Sequence, residues 1–546
     1  MKYLFYLSLV LFFLSCYEDK GNYNYCEINE VNLRLEETYV VTSLNTTMKI
    51  EPELSQSLRE NSDNLKFTWQ EMENQYSHTV VDTIGENEVL EVVINSTEPE
   101  FKFDRYLRLV VADEELGVEY IAPTHLHVSK PFFKSWMILH EKNGITQLAA
   151  VEYAGGTARL RENVYKEESG KELKGKPIKL GAFERFYTTM FPVSEGVRYV
   201  QNVLGILTDD MSESGIYDHT GKFEQKYSMD KMLDVAAVAD FDIRNVTFWG
   251  ASDQAISVCL SNGQLFQSVY DAKFYKANIS PELEGDMRLT LVAKEAYWPI
   301  LYDEAGHRFC FYFNRADTWY SKPFPNFEPA NENAAEWMIK PITKKEVNVT
   351  AVDPNALTIP QKMLYIGKGY GEKRGDTYIY AIGLGADKCY IYEFNNGDPL
   401  IYNRKDATFR AYHEVGIPEG LTEKSCITSS RLYNGVFFYT AGNVVYRYDF
   451  NTQVSREIYR HERATGSVWM NFAKREEMWM SDDPYMGDNW PMLQQMGVVF
   501  EMGDGTSEFV VLHLDISGKV DANDEDVYPA TQVYKGLGKV TDVVYI

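Results

Sequence analysis

Few residues in this 546-residue chain are spaced for chemistry, and most of those are acidic. The run Asp521 to Asp526 (DANDED) offers oxygen donors from Asp521, Asn523, Asp524 and Asp526, the ligands that a hard cation such as calcium takes. Glu525 and Asp526 stand where a helix–loop–helix calcium site needs Asp or Asn and then Gly, so a solvated acidic loop is the plainer reading. Asp482, Asp483, Asp488 and Trp490 share a stretch with Pro484 and Pro491. Acid mixed with aromatic suits ligand contact, although an ordinary long loop has the same composition. The glycine-rich stretch Gly367 to Asp376 (GKGYGEKRGD) carries Lys368, Lys373 and Arg374, which could meet an anion. It lacks the Lys-Ser/Thr ending of phosphate chemistry, and a solvated loop between strands is the plainer reading. His125 and His127, two apart, project from the same face of a strand, a spacing that suits a metal. No third ligand is evident beside them, and a surface histidine pair is the plainer account.

Nothing in the chain matches H-E-x-x-H, G-x-S-x-G or a P-loop. With 80 Asp and Glu residues a glycosidase pair could be assembled in many ways, so abundance carries no information. The formal net charge of −26 excludes a nucleic-acid ligand as the default, because phosphate binding needs a basic face. The six cysteines include no C-x-x-C and no zinc spacing. Cys259, Cys310 and Cys389 lie in apolar strand-like runs, which predicts buried free thiols rather than a disulfide framework.

The elements that must position these residues begin with an address. Lys2 is followed by an apolar run from Tyr3 to Leu14, then small Ser15, then Cys16. That run is shorter than the roughly 20 residues that span a bilayer, and it has the layout of a cleaved secretory signal. With a cysteine directly after the small residue it looks like a bacterial lipoprotein signal over residues 1–15, with Cys16 lipidated and first in the mature chain. Residues 16–25 are polar, with Glu18 and Asp19 acidic, and suit a flexible tether between membrane and folded domain.

From 26 to 130 the chain shows short alternating runs separated by turns such as Gly85-Glu86-Asn87 and Asp113 to Gly117. The runs Val31–Leu35, Lys49–Leu54, Leu65–Trp69, Val89–Ile94, Tyr106–Ala112, Val118–Ala122 and His125–Val128 predict an antiparallel β-sandwich, with Trp69 in its core. Lys130-Pro131 marks the boundary. Residues 131–546 continue as aromatic-rich meanders. A hairpin is expected from Trp136–Leu139 and Ile145–Val151 around Asn143-Gly144. Further sets are expected at Asp234–Val238 with Val246–Gly250 and Ala255–Leu260, at Tyr297–Tyr302 with Arg308–Phe313, and at Met363–Gly367 with Thr377–Gly383 and Lys388–Phe394. The last sets are Cys426–Arg431 with Val436–Thr440 and Val444–Phe450, then Ser467–Phe472 with Met478–Met480. The chain is therefore expected to be all-β: an N-terminal β-sandwich, whose Lys66-Phe67-Thr68-Trp69 and Tyr106-to-Asp113 stretches resemble the immunoglobulin/PKD-like fold, followed by a β-propeller of about seven blades. Seven units would average about 59 residues, longer than compact repeats of about 40 to 45, with the excess in loops. Six or eight blades, or a pair of sandwiches, fit the same pattern. The last strand, Lys539 to Ile546, is expected to close the ring beside Trp136–Leu139, which leaves only short sheet edges.

The string Cys-Tyr-Glu-Asp-Lys-Gly-Asn-Tyr from Cys16 to Tyr23, with the Lys66-Phe67-Thr68-Trp69 and Tyr106-to-Asp113 stretches, resembles the PKD-like surface lipoproteins of Bacteroidota. The resemblance implies a lipid-anchored protein on the outer face of the outer membrane. It also implies partnership with a SusC-like barrel and a SusD-like lipoprotein in a nutrient importer, for peptide or oligosaccharide cargo. With no catalytic motif, a non-catalytic accessory is expected. The alternative is a surface hydrolase of peptides or glycans built on the propeller.

Overall fold

The structure is a computed structural model. It describes residues 29–41, 46–74, 76–94, 104–128, 132, 135–154, 157–187, 199–219, 222–251, 257–268, 273–293, 299–314, 337–344, 352–370, 378–395, 407–473, 494–521 and 529–546. The chain is almost wholly β and divides into two compact units between Ser129 and Lys130.

In the first unit a five-stranded sheet runs in the order Thr38–Val41, Val118–Val128, Asp104–Asp113, Leu65–Met72, Val80–Gly85. Two ribbons, Val31–Arg34 with Glu53–Gln56 and Thr46–Ile50 with Leu90–Ile94, complete it. Their alternating apolar residues share one core with the sheet, including Ile50, Leu90, Val92, Leu107, Leu109 and Leu126. Trp69 is fully buried there and its indole N–H donates to the Asn87 carbonyl at 2.9 Å, which satisfies its one polar atom.

Three features depart from the sequence expectation. The run expected at Lys49–Leu54 is broken at Glu51-Pro52 into the ends of two strands with different partners, because proline has no N–H for a ladder. Thr38–Val41 pairs parallel with the strand from Val118, so the sheet is mixed. The runs expected at Val118–Ala122 and His125–Val128 are one strand through Pro123. The backbone N–H of His125 points to the side on which it bonds the Glu37 carbonyl, so Pro123, two residues earlier, directs its nitrogen the same way, just beyond the reach of Thr38–Val41. No ladder bond is lost, which is where a strand tolerates proline.

Among the described residues the second unit contains seven sheets in chain order. The first holds Trp136–Lys142, Ile145–Ala154, Thr157–Arg161 and, across the whole length of the unit, Lys539–Tyr545. The next five begin at Pro177–Tyr187, Val246–Ala251, Leu289–Ala293, Lys362–Lys368 and Ile427–Thr428, and the seventh at Ala464–Phe472. The fourth and fifth each gain a fifth, two-residue strand, Asn278–Ile279 and Thr343–Lys344, paired parallel.

Seven cores join these sheets in a cycle. Phe183 with Trp249 joins second to third, Leu260 with Tyr312 third to fourth, and Phe309 with Tyr392 fourth to fifth. Ile391 with Phe437 joins fifth to sixth, and Phe438 with Phe500 sixth to seventh. The cycle closes through the first sheet, whose strand Trp136–Lys142 has both faces buried. Trp136 and Ile138 pack with Val499 and Phe509 of the seventh sheet, while Met137 and Leu139 pack with Ile206 and Tyr217 of the second. A strand covered on both sides reads as a continuous apolar run rather than an alternation, and Trp-Met-Ile-Leu is such a run. Trp136 meets Trp469, Phe509 and Tyr545 edge-on. It fits because position 497 is glycine: a Cβ there would stand 2.8 Å from Phe509 and 3.1 Å from Trp136.

Lys539–Tyr545 pairs antiparallel with Trp136–Lys142, Tyr545 opposite Trp136, and Ser135 and Ile546 exchange both backbone hydrogen bonds beyond it. The closing strand therefore lies where it was expected. Asn143 and Gly144 both have positive φ, 56° and 76°, the two-residue turn that the hairpin requires. Asp234–Val238 is not a strand. Asp234 caps a turn, its carboxylate accepting from Ala236 N–H and its carbonyl from Ala237 and Val238, and Val235 is 90% exposed. Local Asp-to-backbone bonding offers the chain an alternative to a ladder, and alanine adds little strand preference. Of Cys426–Arg431 only Ile427–Thr428 is strand. Met478–Met480 lies outside the described residues.

Candidate functional site: a cation-lined cleft at the ring closure

Of the residues picked from sequence for anion, ligand or calcium contact, Lys368 and Asp521 are described. Lys368 ends the strand Lys362–Lys368, and its carbonyl accepts the Ser429 hydroxyl at 2.5 Å, which ties the fifth sheet to the sixth. Asp521 lies just after the seventh sheet's third strand, its N–H donating to the His513 carbonyl at 3.0 Å. Cys16, Lys373, Arg374, Asp482, Asp483, Asp488, Trp490, Asn523, Asp524 and Asp526 lie outside the described residues. Cys259, Cys310 and Cys389 are buried free thiols; burial pushes all three thiols up, Cys389 to about 12, so none is a ready nucleophile.

A different group comes together where the ring closes. A cleft of about 550 Å³ is lined by Glu141, Lys176, Pro177, Ile178, Asp209, Arg244, Lys539 and Thr541. That volume lies in the range of small-molecule sites. These residues come from the end of one strand of the first sheet, the start of its closing strand, the first hairpin of the second sheet and the turn leading into the third. Several local devices hold them. Asp209 N–H donates to the Lys176 carbonyl at 2.9 Å, and the Asp209 carboxylate accepts from Lys176 N–H at 2.7 Å. Asp242 accepts from Arg244 N–H at 3.0 Å and so starts the 3-10 turn Ile243–Asn245. Glu141 is opposite Lys539 in the ladder. Gly538, just before, lies so close that a Cβ would stand 1.9 Å from the Glu141 carbonyl oxygen, so only glycine fits at this corner.

Beneath the corner is His140, fully buried. Its Nδ1 accepts from Gly538 N–H at 3.1 Å, which makes Nε2 the protonated nitrogen, directed to the Glu162 carbonyl at 3.3 Å. Burial lowers its pKa to about 4, and the Lys142 ammonium adds to the effect against the opposing pull of Glu162. The imidazole is thus neutral at physiological pH, a structural strut at the closure.

The side chains of Lys176, Arg244 and Lys539 make no ion pair or hydrogen bond among the described residues. In a chain of net charge −26, three uncommitted cations around one cleft, with Glu141 and Asp209 beside them, form a local pattern suited to an anionic or zwitterionic group. Among the described residues the lining includes no Ser, Cys, His or Tyr. No sequence motif marks it, since its members are scattered over about four hundred positions and meet only when the ring closes.

In the first unit, the histidine pair acquires a third member. Asp104 is opposite His127 in the hairpin, and its Oδ1 lies 2.8 Å from His127 Nδ1 and 3.0 Å from His125 Nε2. The side chains are 50%, 41% and 28% exposed in that order, and Tyr106 stacks on His125 with ring centroids 4.8 Å apart. Desolvation alone would raise the Asp104 carboxyl, but hydrogen bonds and charge from His127 and His125 outweigh it and hold the carboxyl below its usual range.

No curated protein matches the chain. Among solved structures, a quinonprotein alcohol dehydrogenase-like protein from Bacteroides thetaiotaomicron is 10% identical, with a TM-score of 0.38 over 94% of this chain and 99% of that one. BBS1N in complex with ARL6DN is 12% identical, with a TM-score of 0.28 over 58% of this chain and 85% of that one. A eukaryotic initiation factor is 10% identical, with a TM-score of 0.27 over 88% and 98%. At these values the likenesses establish neither fold nor activity. In sequence, residues 16–177 match the PKD-like family, a span that takes in the described residues of the first unit and, in the second, the strands Trp136–Lys142, Ile145–Ala154 and Thr157–Arg161.

Proposed function

We propose that this chain is a non-catalytic lipoprotein, anchored through Cys16 to the outer membrane and facing the cell exterior. Its ring of sheets is read as a seven-bladed β-propeller that binds and docks beside a SusC/SusD-type importer of peptides or oligosaccharides. The cation-lined cleft at the ring closure carries the binding part of this reading. Cleft residues lie at strand ends and turns of a rigid ring, the usual place for contacts that vary while the scaffold does not. Their mixed charge suits cargo with a carboxylate, either a peptide terminus or an acidic sugar. Seven sheets in chain order, seven cores in a cycle and a last strand in the first sheet support the propeller. The match of residues 16–177 to the PKD-like family supports the lipoprotein context. The test is calorimetric titration with short acidic peptides and uronic-acid oligosaccharides beside their neutral analogues. One acidic class is expected to bind, and Arg244→Ala with Lys539→Ala to weaken it at least tenfold. Equal binding of the neutral analogue, or no effect of the double variant, contradicts the cleft. Turnover abolished by a single carboxylate substitution would instead favour the surface hydrolase.

A further inference from the structure

We propose that Asp104, His125 and His127 form a binding site for a divalent transition-metal ion, with zinc as the reference ion. Two imidazole nitrogens and one carboxylate oxygen are a donor set that suits zinc and its first-row neighbours, whereas calcium and magnesium prefer oxygen alone. The three donor atoms lie within 4.8 Å of one another. In a tetrahedral zinc site with bonds of 2.0–2.1 Å, neighbouring donors stand about 3.3 Å apart. Here Asp104 Oδ1 is 2.8 Å and 3.0 Å from the two nitrogens while the three donors span up to 4.8 Å, so an ion enters as the two imidazoles swing toward each other by roughly an ångström.

The imidazoles must turn lone pairs, not protons, to the ion. For His125 the proton moves from Nε2 to Nδ1, and for His127 from Nδ1 to Nε2. Both are ordinary tautomer changes. The frame is rigid. Both histidines are on one strand, Asp104 is fixed opposite His127 by the hairpin register, and the stacked Tyr106 ring sets the plane of His125. Without an ion, one half-exposed carboxylate oxygen orders two imidazoles, an arrangement whose side-chain entropy cost is not offset by burial. A metal ion supplies the offset. Three ligands from two adjacent strands on an exposed face leave a fourth position to water or to a donor from another molecule.

The test uses the full chain, titrated with zinc by calorimetry and with cobalt by visible absorption. One equivalent of zinc is expected at micromolar affinity or better, and cobalt should give the intense visible bands of a four-coordinate site. Asp104→Asn, which keeps shape and hydrogen bonding, should weaken zinc at least tenfold. His125→Gln with His127→Gln should remove the equivalent and the cobalt bands while circular dichroism of the metal-free protein stays unchanged. Should the double variant fold poorly, the Asp104→Asn and single His127→Gln proteins decide. Zinc stoichiometry and cobalt spectrum unchanged in those variants, or zinc binding only at millimolar concentration, would overturn the assignment.

Discussion

Asp542, buried on the closing strand, accepts a hydrogen bond from the backbone N–H of Leu180 in the second sheet at 2.9 Å. The other carboxylate oxygen lies 3.3 Å from Lys179 Nζ. The last strand of the chain is thus joined by backbone ladder to the first sheet and by one side chain to the second. Asp542→Ala leaves a buried N–H without an acceptor and Lys179 without its partner, at a cost of about 1–3 kcal/mol. A lower urea midpoint at unchanged slope is expected. A midpoint equal to that of the parent would show that the contact is not a latch.

Removal of residues Val540–Ile546 takes away the fourth strand of the first sheet and exposes Trp136 and Ile138. Two transitions are expected in calorimetry of the parent. The truncated chain should lose or lower the ring's transition and keep that of the first unit, whose core does not include the closing strand. A truncated chain whose ring melts like the parent's would show that closure is dispensable.

His140 gives a pH dependence of known sign. Its folded pKa is about 4 and the unfolded value about 6.5, so the unfolded state binds the extra proton between them. The associated stability is complete above pH 6.5, declines as pH falls through this window and is gone below about pH 4. Between pH 7 and pH 5 the loss is about 2 kcal/mol. His140→Asn should lower stability at pH 7, because the buried site is imperfectly refilled, and should lack this component of the pH slope. Parallel slopes in both proteins between pH 7 and pH 5 would rule the mechanism out.

The proposed anchoring rests on Cys16. Each buried methylene contributes about 0.8 kcal/mol, so several acyl chains together hold a protein to a membrane. Cys16→Ala should appear in the soluble fraction or accumulate as precursor. The substituted protein recovered processed and in membranes, as the parent is, would exclude lipidation at this residue.

What was legible in the sequence follows from how local each signal is. Asn143-Gly144 and the run Arg308–Asn314 declare themselves, because turn chemistry and strand pattern are properties of a few neighbouring residues. Asp234–Val238 misled, since its apolar residues belong to a turn held by Asp234. Asp104 was missed beside the histidines although a signal existed. Asp113 opposite Val118 fixes the hairpin register, and counting back along both strands puts Asp104 opposite His127. The cleft gave no such signal, because Glu141 and Lys539 become neighbours only through ring closure.

The central claim is that this protein works as a docking component beside an importer, and recovery of the tagged chain from its native membrane in mild detergent tests it most directly. The account predicts that a SusC-like barrel and a SusD-like lipoprotein co-elute with the parent chain. Recovery of the chain alone, with those importer subunits expressed in the same cells but absent from the eluate, would contradict it.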